Sequence, residues 1–233
     1  MCGRSSLTKT EKEIEERFNA TFYSEELERY NPIPNFNVAP TQMMPIITSA
    51  LIGKLQIFQW GMIPSWAKDK KMGFSLINAR VETLLEKSIF KQRLSSGRCI
   101  IPMDGFYEWK RNGNTKIPYR IVTTDQRIFS VAGLWDQWLD VKTGQTVKSF
   151  TIITLPPNQL MENLHDRMPA ILQSDLESVW LNEDLGPKDI LQVLQPYPSD
   201  AMDAYEVSDK VNSVRNNHPN LISPKKGHQM SLF

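Results

Sequence analysis

The chain has 233 residues, 40% of them hydrophobic, and a formal net charge of +1 at pH 7. That is enough apolar material for one full core, and a near-neutral balance excludes a polybasic nucleic-acid binder, so any contact with nucleic acid must rest on a local patch. No apolar run approaches the roughly 20 residues of a membrane helix, and the N-terminus lacks the apolar region of a signal peptide, so a cytosolic protein without membrane contact is expected.

The two cysteines do not make a disulfide framework, and Cys99 sits in the apolar run Cys99-Ile100-Ile101-Pro102, as a buried small hydrophobe would. Three histidines and two cysteines are scattered without metal-ligand spacing, and no glycine-rich phosphate loop follows a strand. Neither a metal nor a cofactor is expected.

In chain order, Thr10 with Glu13 reads as a capping box opening a helix in which Ile14 and Phe18 share a face. Strand-like runs follow at 44–49, 54–60, 75–78, 99–103, 106–110, 117–124, 128–134 and 147–155. Asn112-Gly113 and Thr143-Gly144 lie between strand candidates where φ > 0 is wanted, so each marks an antiparallel hairpin. Helical stretches at 83–94, 158–164 and 187–194 interrupt the strands without alternating regularly, which argues against a doubly wound sheet. Ser174 with Glu177 repeats the capping signal ahead of Trp180 and Leu181. The expected fold is α+β: one domain over 1–224 with a curled, largely antiparallel, barrel-like sheet flanked by short helices. From Ser208 the composition turns polar, and 225–233 reads as a flexible tail.

The residue that carries chemistry is Cys2. Removal of Met1 would leave a 1,2-aminothiol, which attacks an aldehyde through nitrogen to give an imine and then closes a thiazolidine ring through sulfur. Ordinary pKa values of about 8 for the amine and about 8.5 for the thiol leave both nucleophiles partly available at neutral pH. A reducing compartment suits such a free thiol.

Four segments belong beside it: Cys2-Gly3-Arg4, Asn78-Ala79-Arg80-Val81-Glu82-Thr83, Gly105-Phe106-Tyr107-Glu108-Trp109 and His165-Asp166-Arg167-Met168-Pro169. With Asn37-Val38-Ala39-Pro40, Trp60-Gly61-Met62-Ile63-Pro64-Ser65-Trp66 and Val211-Asn212-Ser213, this set resembles the SOS response-associated peptidase (SRAP) family, in the same order and over about the whole domain.

The resemblance implies that Cys2 bonds covalently to the ring-opened aldehyde of an abasic deoxyribose in single-stranded DNA, shielding the lesion during replication and the SOS response. It implies catalytic roles for Cys2, Asn78, Glu108 and His165. It also implies DNA contacts at Arg4, Arg80, Trp109, Thr154 and Arg167, to which we add Pro40 and Trp66. The chemistry explains the residue types. A carbinolamine must lose its hydroxyl as water, which needs a proton donor, and a Glu108 desolvated among Phe106, Tyr107 and Trp109 could stay protonated for that step. His165, with an ordinary pKa of about 6.5, can pass protons either way. Asn78 can hold the amine or a sugar hydroxyl. Arg4, Arg80 and Arg167 suit flanking phosphates. Trp66 suits base stacking, or equally a place in the core.

The extreme C-terminus, Gln229-Met230-Ser231-Leu232-Phe233, resembles the pentapeptide by which bacterial replication and repair proteins dock on the sliding clamp, with Gln229 at the pocket rim and Leu232 and Phe233 inside it. A monomer acting in the cytoplasm, at the nucleoid's replication forks, is expected. Two rival readings stay open: a cysteine-type (auto)peptidase with Cys2 as N-terminal nucleophile, and a non-covalent single-strand DNA-binding module in which Cys2 is incidental.

Overall fold

The computed structural model describes residues 3–22 and 33–225, so Cys2, the tail residues Gln229, Leu232 and Phe233, and the linker after Lys225 lie outside the described residues. Fourteen strands are described. They are β1 (Ser5–Leu7), β2 (Thr21–Phe22), β3 (Asn35–Val38), β4 (Met43–Thr48), β5 (Leu51–Trp60), β6 (Asn78–Arg80) and β7 (Arg98–Met103). Then come β8 (Gly105–Asn112), β9 (Thr115–Thr123), β10 (Phe129–Leu139), β11 (Thr146–Leu155), β12 (Met168–Pro169), β13 (Ile171–Leu172) and β14 (Met202–Glu206). The longer helices are α1 (Glu11–Phe18) and α2 (Ser88–Ser96).

Strands β11, β10, β7, β4 and β5 are neighbours in that order, each pair antiparallel. A parallel pairing of Ser149 with Gln59 and Phe150 with Trp60 then returns β5 to β11 and closes a barrel. Its wall is largely apolar, with Ile101, Phe58, Trp60, Phe150 and Ile152 all fully buried beside a few buried polar side chains such as Ser149 and Thr151. A second sheet, ordered β14-β9-β8-β1-β3, is antiparallel throughout and lies alongside. One tight turn, through Asp104, carries the chain from β7 of the barrel into β8 of this sheet. The result is the single-domain α+β architecture with a curled sheet that the sequence implies. No helix among the described residues is long and apolar enough to cross a membrane.

The second sheet contains a buried polar cluster. Asp104, 3% exposed, accepts from Ser6 Oγ at 2.7 Å, Thr8 N at 2.6 Å and Arg120 Nη2 at 3.1 Å. Arg120 also donates to the Tyr205 hydroxyl at 2.8 Å. These bonds tie β1, β8, β9 and β14 together, and they hold a three-residue strand that has little apolar surface of its own to bury. Every lone pair that they occupy would otherwise be an unsatisfied buried acceptor.

Local expectations meet this structure unevenly. The α1 capping box forms, with Glu13 N on Thr10 Oγ1 at 3.3 Å and Thr10 N on Glu13 Oε2 at 2.8 Å. Both hairpins form, with Gly113 at φ +58° and Gly144 at φ +71°. Cys99 is fully buried, and burial pushes its thiol pKa well up. The second capping box does not form: Gln173 is the N-cap and has no side-chain bond, and the Glu177 carboxylate instead binds Arg17 and Ser130 Oγ. The strand expected at 75–78 begins only at Asn78, because Lys70–Ser75 winds into a 3-10 helix closed by Ser75 Oγ on Met72 O at 2.8 Å. The helix expected at 83–94 is a 3-10 turn at Val81–Thr83 and then α2. Strands β1, β2, β3, β12, β13 and β14 fall outside the strand runs expected from the sequence. Val211 and Leu221, in the polar stretch after Ser208, are fully buried against the second sheet.

Candidate active site

The site opens where the second sheet meets the end of the barrel strand β11. Burial runs unbroken from Gly105 to Glu108 in β8, so the Glu108 carboxyl is 3% exposed although its strand leads out into a solvated hairpin. Removal from water penalises the carboxylate, and Asp166 adds to the effect, so the Glu108 pKa is raised to about 7. His165 follows a short helix, Gln159–Glu162, that Asn158 caps by accepting from Met161 N at 3.0 Å. Its Nε2 lies 4.0 Å from Glu108 Oε2.

The other side of the imidazole is defined by its own loop. Arg167 N donates to His165 Nδ1 at 3.0 Å, an arrangement that leaves the ring proton of the neutral form on Nε2, facing Glu108. Asp166 Oδ1 stands 2.7 Å from the same Nδ1 and favours the protonated ring. Burial works the other way and lowers the His165 pKa, with the Arg111 charge in the same direction. At neutral pH the pair is therefore a partly protonated carboxyl beside a neutral imidazole, which is the distribution an acid catalyst needs.

Arg167 and Thr154 sit behind this surface. Arg167 forks onto Glu82, with Nη1 on Oε1 at 2.6 Å and Nη2 on Oε2 at 2.9 Å, and donates to Thr154 O at 2.6 Å. The Thr154 side chain is fully buried, with its hydroxyl 3.5 Å from Ala79 O. Both residues brace the loop that carries His165 against β6 and β11. Arg80 and Trp109 do line the opening: a cavity of about 690 Å³ is bounded by Arg80, Trp109, Arg111, Pro157 and His165. A smaller one of about 330 Å³ is lined by Glu108, Trp109, Arg111, Lys116 and His165. Asn78 is half-buried at the start of β6, two residues before Arg80, where β6 runs parallel to β11.

Arg4 lies 5.7 Å over the Trp109 ring, and its Nη1 donates to Asn37 Oδ1 at 2.8 Å and to Val211 O at 2.6 Å. Asn37 in turn donates to the carbonyls of Ser213 and Asn216, while the Trp109 indole donates to Asn212 Oδ1 at 2.7 Å. The Asn37 and Val211-Asn212-Ser213 segments thus hold Arg4 and Trp109 in place. Tyr107 N donates to Arg4 O at 2.9 Å, which sets β1 beside the residue preceding Glu108.

Pro40 is half-buried, and Trp66 is 61% exposed, which removes it from the core. The excursion that bears Trp66 is pinned. Gly61, at φ +114°, and Gly73 pass so closely that a Cβ on either would meet the other's carbonyl oxygen at 2.7 Å. Ser65 N donates to Asp136, and Trp138 Nε1 donates to Ala67 O. Sequence reasoning missed Glu82, Asp166, Arg111 and Lys116 as parts of the site. The last two were accessible by counting outward from the Asn112-Gly113 turn.

An acid–imidazole pair at the mouth of an α+β barrel domain describes a class of site rather than one protein. The chain belongs to the SOS response associated peptidase (SRAP) family, whose model matches residues 1–214. It is 48% identical over 225 residues to the Bacillus subtilis protein named abasic site processing protein YoqW, covering 95% of this chain and 99% of that one. It is 34% identical to the Xenopus tropicalis protein named abasic site processing protein HMCES, covering 85% of this chain and 70% of that one. A crystal structure of a Bacteroides thetaiotaomicron protein superposes with a TM-score of 0.89 at 32% identity, covering 96% of this chain and all of that one.

Proposed function

We propose that this protein processes abasic sites in single-stranded DNA, with the Cys2 aminothiol as the reactive group once Met1 is removed. The amine adds to the sugar aldehyde, the carbinolamine loses water as the imine forms, and the thiol adds across the C=N bond, its proton passing to nitrogen. One C–N bond and one C–S bond form, and one water leaves. Closure of the ring is intramolecular and gains the effective molarity of a tethered group.

The observation that carries this reading is the buried Glu108 carboxyl, with its pKa raised to about 7 and His165 Nε2 4.0 Å away. Glu108 supplies the proton that converts the carbinolamine hydroxyl into leaving water and recovers one from nitrogen as the imine forms, while His165 relays the proton that passes from the C1′ hydroxyl to O4′ when the sugar ring opens ahead of amine addition. The register of β1 on β8 supports a reactive residue just ahead of Arg4. In this reading Asn78 orients the amine or a sugar hydroxyl, Arg80 and Arg4 meet phosphates, and Trp109, Pro40 and Trp66 order the bases. Arg167 and Thr154 act from behind the surface. The names of the relatives support the substrate class.

The test is incubation of the mature protein with an oligonucleotide bearing one abasic site, followed by denaturing electrophoresis. An adduct that survives denaturation is expected from the wild type. Cys2→Ala should give only an imine, visible after borohydride reduction. An absence of any adduct would return the choice to a peptidase or a non-covalent binder. The tail carries a separate proposal on sequence alone. Deletion of 229–233 should abolish binding to a bacterial sliding clamp, and unchanged binding would refute it.

A further inference from the structure

The hairpin beyond Glu108 carries a charge arrangement that folding alone does not favour. In the register of β8 on β9, Arg111 is directly opposite Lys116, so two cations project from neighbouring positions on one face. Like charges opposite each other across a ladder destabilise it. Among the described residues neither cation has a carboxylate within 4.0 Å, whereas Arg93, Arg120 and Arg167 each have one. Both line the cavity of about 330 Å³ that holds Glu108, Trp109 and His165. Arg111 also borders the larger cavity, together with Arg80 and Lys110. In a chain of net charge +1, this gathers Arg80, Lys110, Arg111 and Lys116 at the mouth of the site, where Glu162 and Asp166 also line the larger cavity without pairing to Arg111 or Lys116.

The fold fixes the backbone positions that bear the pair. Asn112 pairs with Thr115 across a two-residue turn, and Gly113 at φ +58° supplies the backbone that such a turn requires. The two exposed side chains therefore start a strand-width apart on a well-defined ribbon. Trp109 lies two residues back on the same face, its indole fixed by Asn212. Two parallel cations beside an aromatic face match a phosphodiester and its adjoining base.

We propose that Arg111 and Lys116 form a phosphodiester-binding fork that grips the backbone of the strand whose sugar enters the Glu108–His165 cavity. The fork rests on the abasic-strand reading above and adds to it a binding subsite distinct from the reacting groups. The cross-strand repulsion is relieved when a phosphate lies between the cations. The Arg111 charge also opposes protonation of His165 in the empty site, and a bound phosphate would remove that opposition.

The test compares wild type, Arg111→Gln/Lys116→Gln and Lys142→Gln, the last an exposed lysine on the β10–β11 hairpin. The probe is a single-stranded oligonucleotide carrying tetrahydrofuran, an abasic analogue that cannot open to an aldehyde. Loss of the one phosphate contact that the fork makes should lower the slope of log K against log salt by about 0.7 in the double variant. The affinity gap from wild type should then narrow by about 2.6-fold between roughly 50 and 200 mM salt. Replacing a phosphate next to the lesion by a neutral methylphosphonate should weaken wild type and leave the double variant unchanged, whereas competition by inorganic phosphate alone would mark a free-anion site and overturn the assignment to the strand. The double variant should melt no lower than wild type, since it removes a like-charge pair. A salt slope equal to that of wild type, or an equal change in Lys142→Gln, would overturn the fork. Loss of the adduct from wild type would instead sink the covalent reading, and the salt slopes would still judge the fork.

Discussion

The barrel and the second sheet are built by different physics. The barrel wall from Cys99 to Met103 and from Phe150 to Ile153 is buried and apolar except for Thr151, and it carries no candidate reactive group. The second sheet and the turn that leads into it bury the bonded polar set Ser6, Asp104 and Arg120 together with Glu108. Apolar packing is non-directional and tolerates small changes of shape, whereas buried polar groups impose a geometry and are costly when one partner is lost. The difference teaches a division of labour, in which the barrel supplies stability and the polar sheet fixes where β1 and Glu108 point.

The largest expected break of that contrast is Asp104→Ala. It strands the Arg120 guanidinium in the interior and should cost about 3–5 kcal/mol in urea unfolding, against about 0.5–1.5 kcal/mol for Ile101→Val in the barrel. Equal costs would mean that the two regions are not differently built.

Glu108→Gln should slow adduct formation by about 10²-fold or more. It also separates folding from function through pH. The Glu108 pKa is raised from its ordinary 4.5 to about 7 in the folded protein, so as pH rises from 4.5 the unfolded state gives up this proton first. The wild type therefore loses stability across that window, by up to about 3 kcal/mol once pH passes the folded value, and the Gln variant does not. Identical pH dependence of melting in the two proteins would remove the raised pKa from the account.

Glu82→Gln loosens one tooth of the Arg167 fork. It should cost on the order of 1 kcal/mol, because Glu82 is half exposed, and it should slow adduct formation severalfold by freeing the loop that aligns His165. Rescue by Glu82→Asp would sharpen the assignment. The smallest effect is expected from Asp166→Asn: the His165 imidazole should titrate lower when followed by NMR, since a carboxylate that favours the charged ring is gone. An unmoved titration would place that carboxylate in solvent.

How much of this was legible depends on the range of each signal. Hairpins were readable because Asn112-Gly113 and Thr143-Gly144 are local, and α1 because Thr10 and Glu13 cap it within one turn. Barrel closure was not, because the parallel pairing of β5 with β11 joins distant segments without a turn to announce it. Strand β1 is three residues long and is held by Asp104 rather than by a pattern. Glu108 and His165 were found through the resemblance. Their residue types allow acid chemistry, but it takes the folded environment, burial first, to raise one pKa and lower the other. The pairing of Arg167 with Glu82 was not legible, because Glu82 lies on another element.

The most direct test is the intact mass of the denatured product formed when protein confirmed to begin at Cys2 meets a strand with one true abasic site. The account predicts protein plus strand minus one water, and no such species from protein that retains Met1. An unmodified protein mass from the mature form, or an equal adduct from the Met1-bearing form, would contradict it.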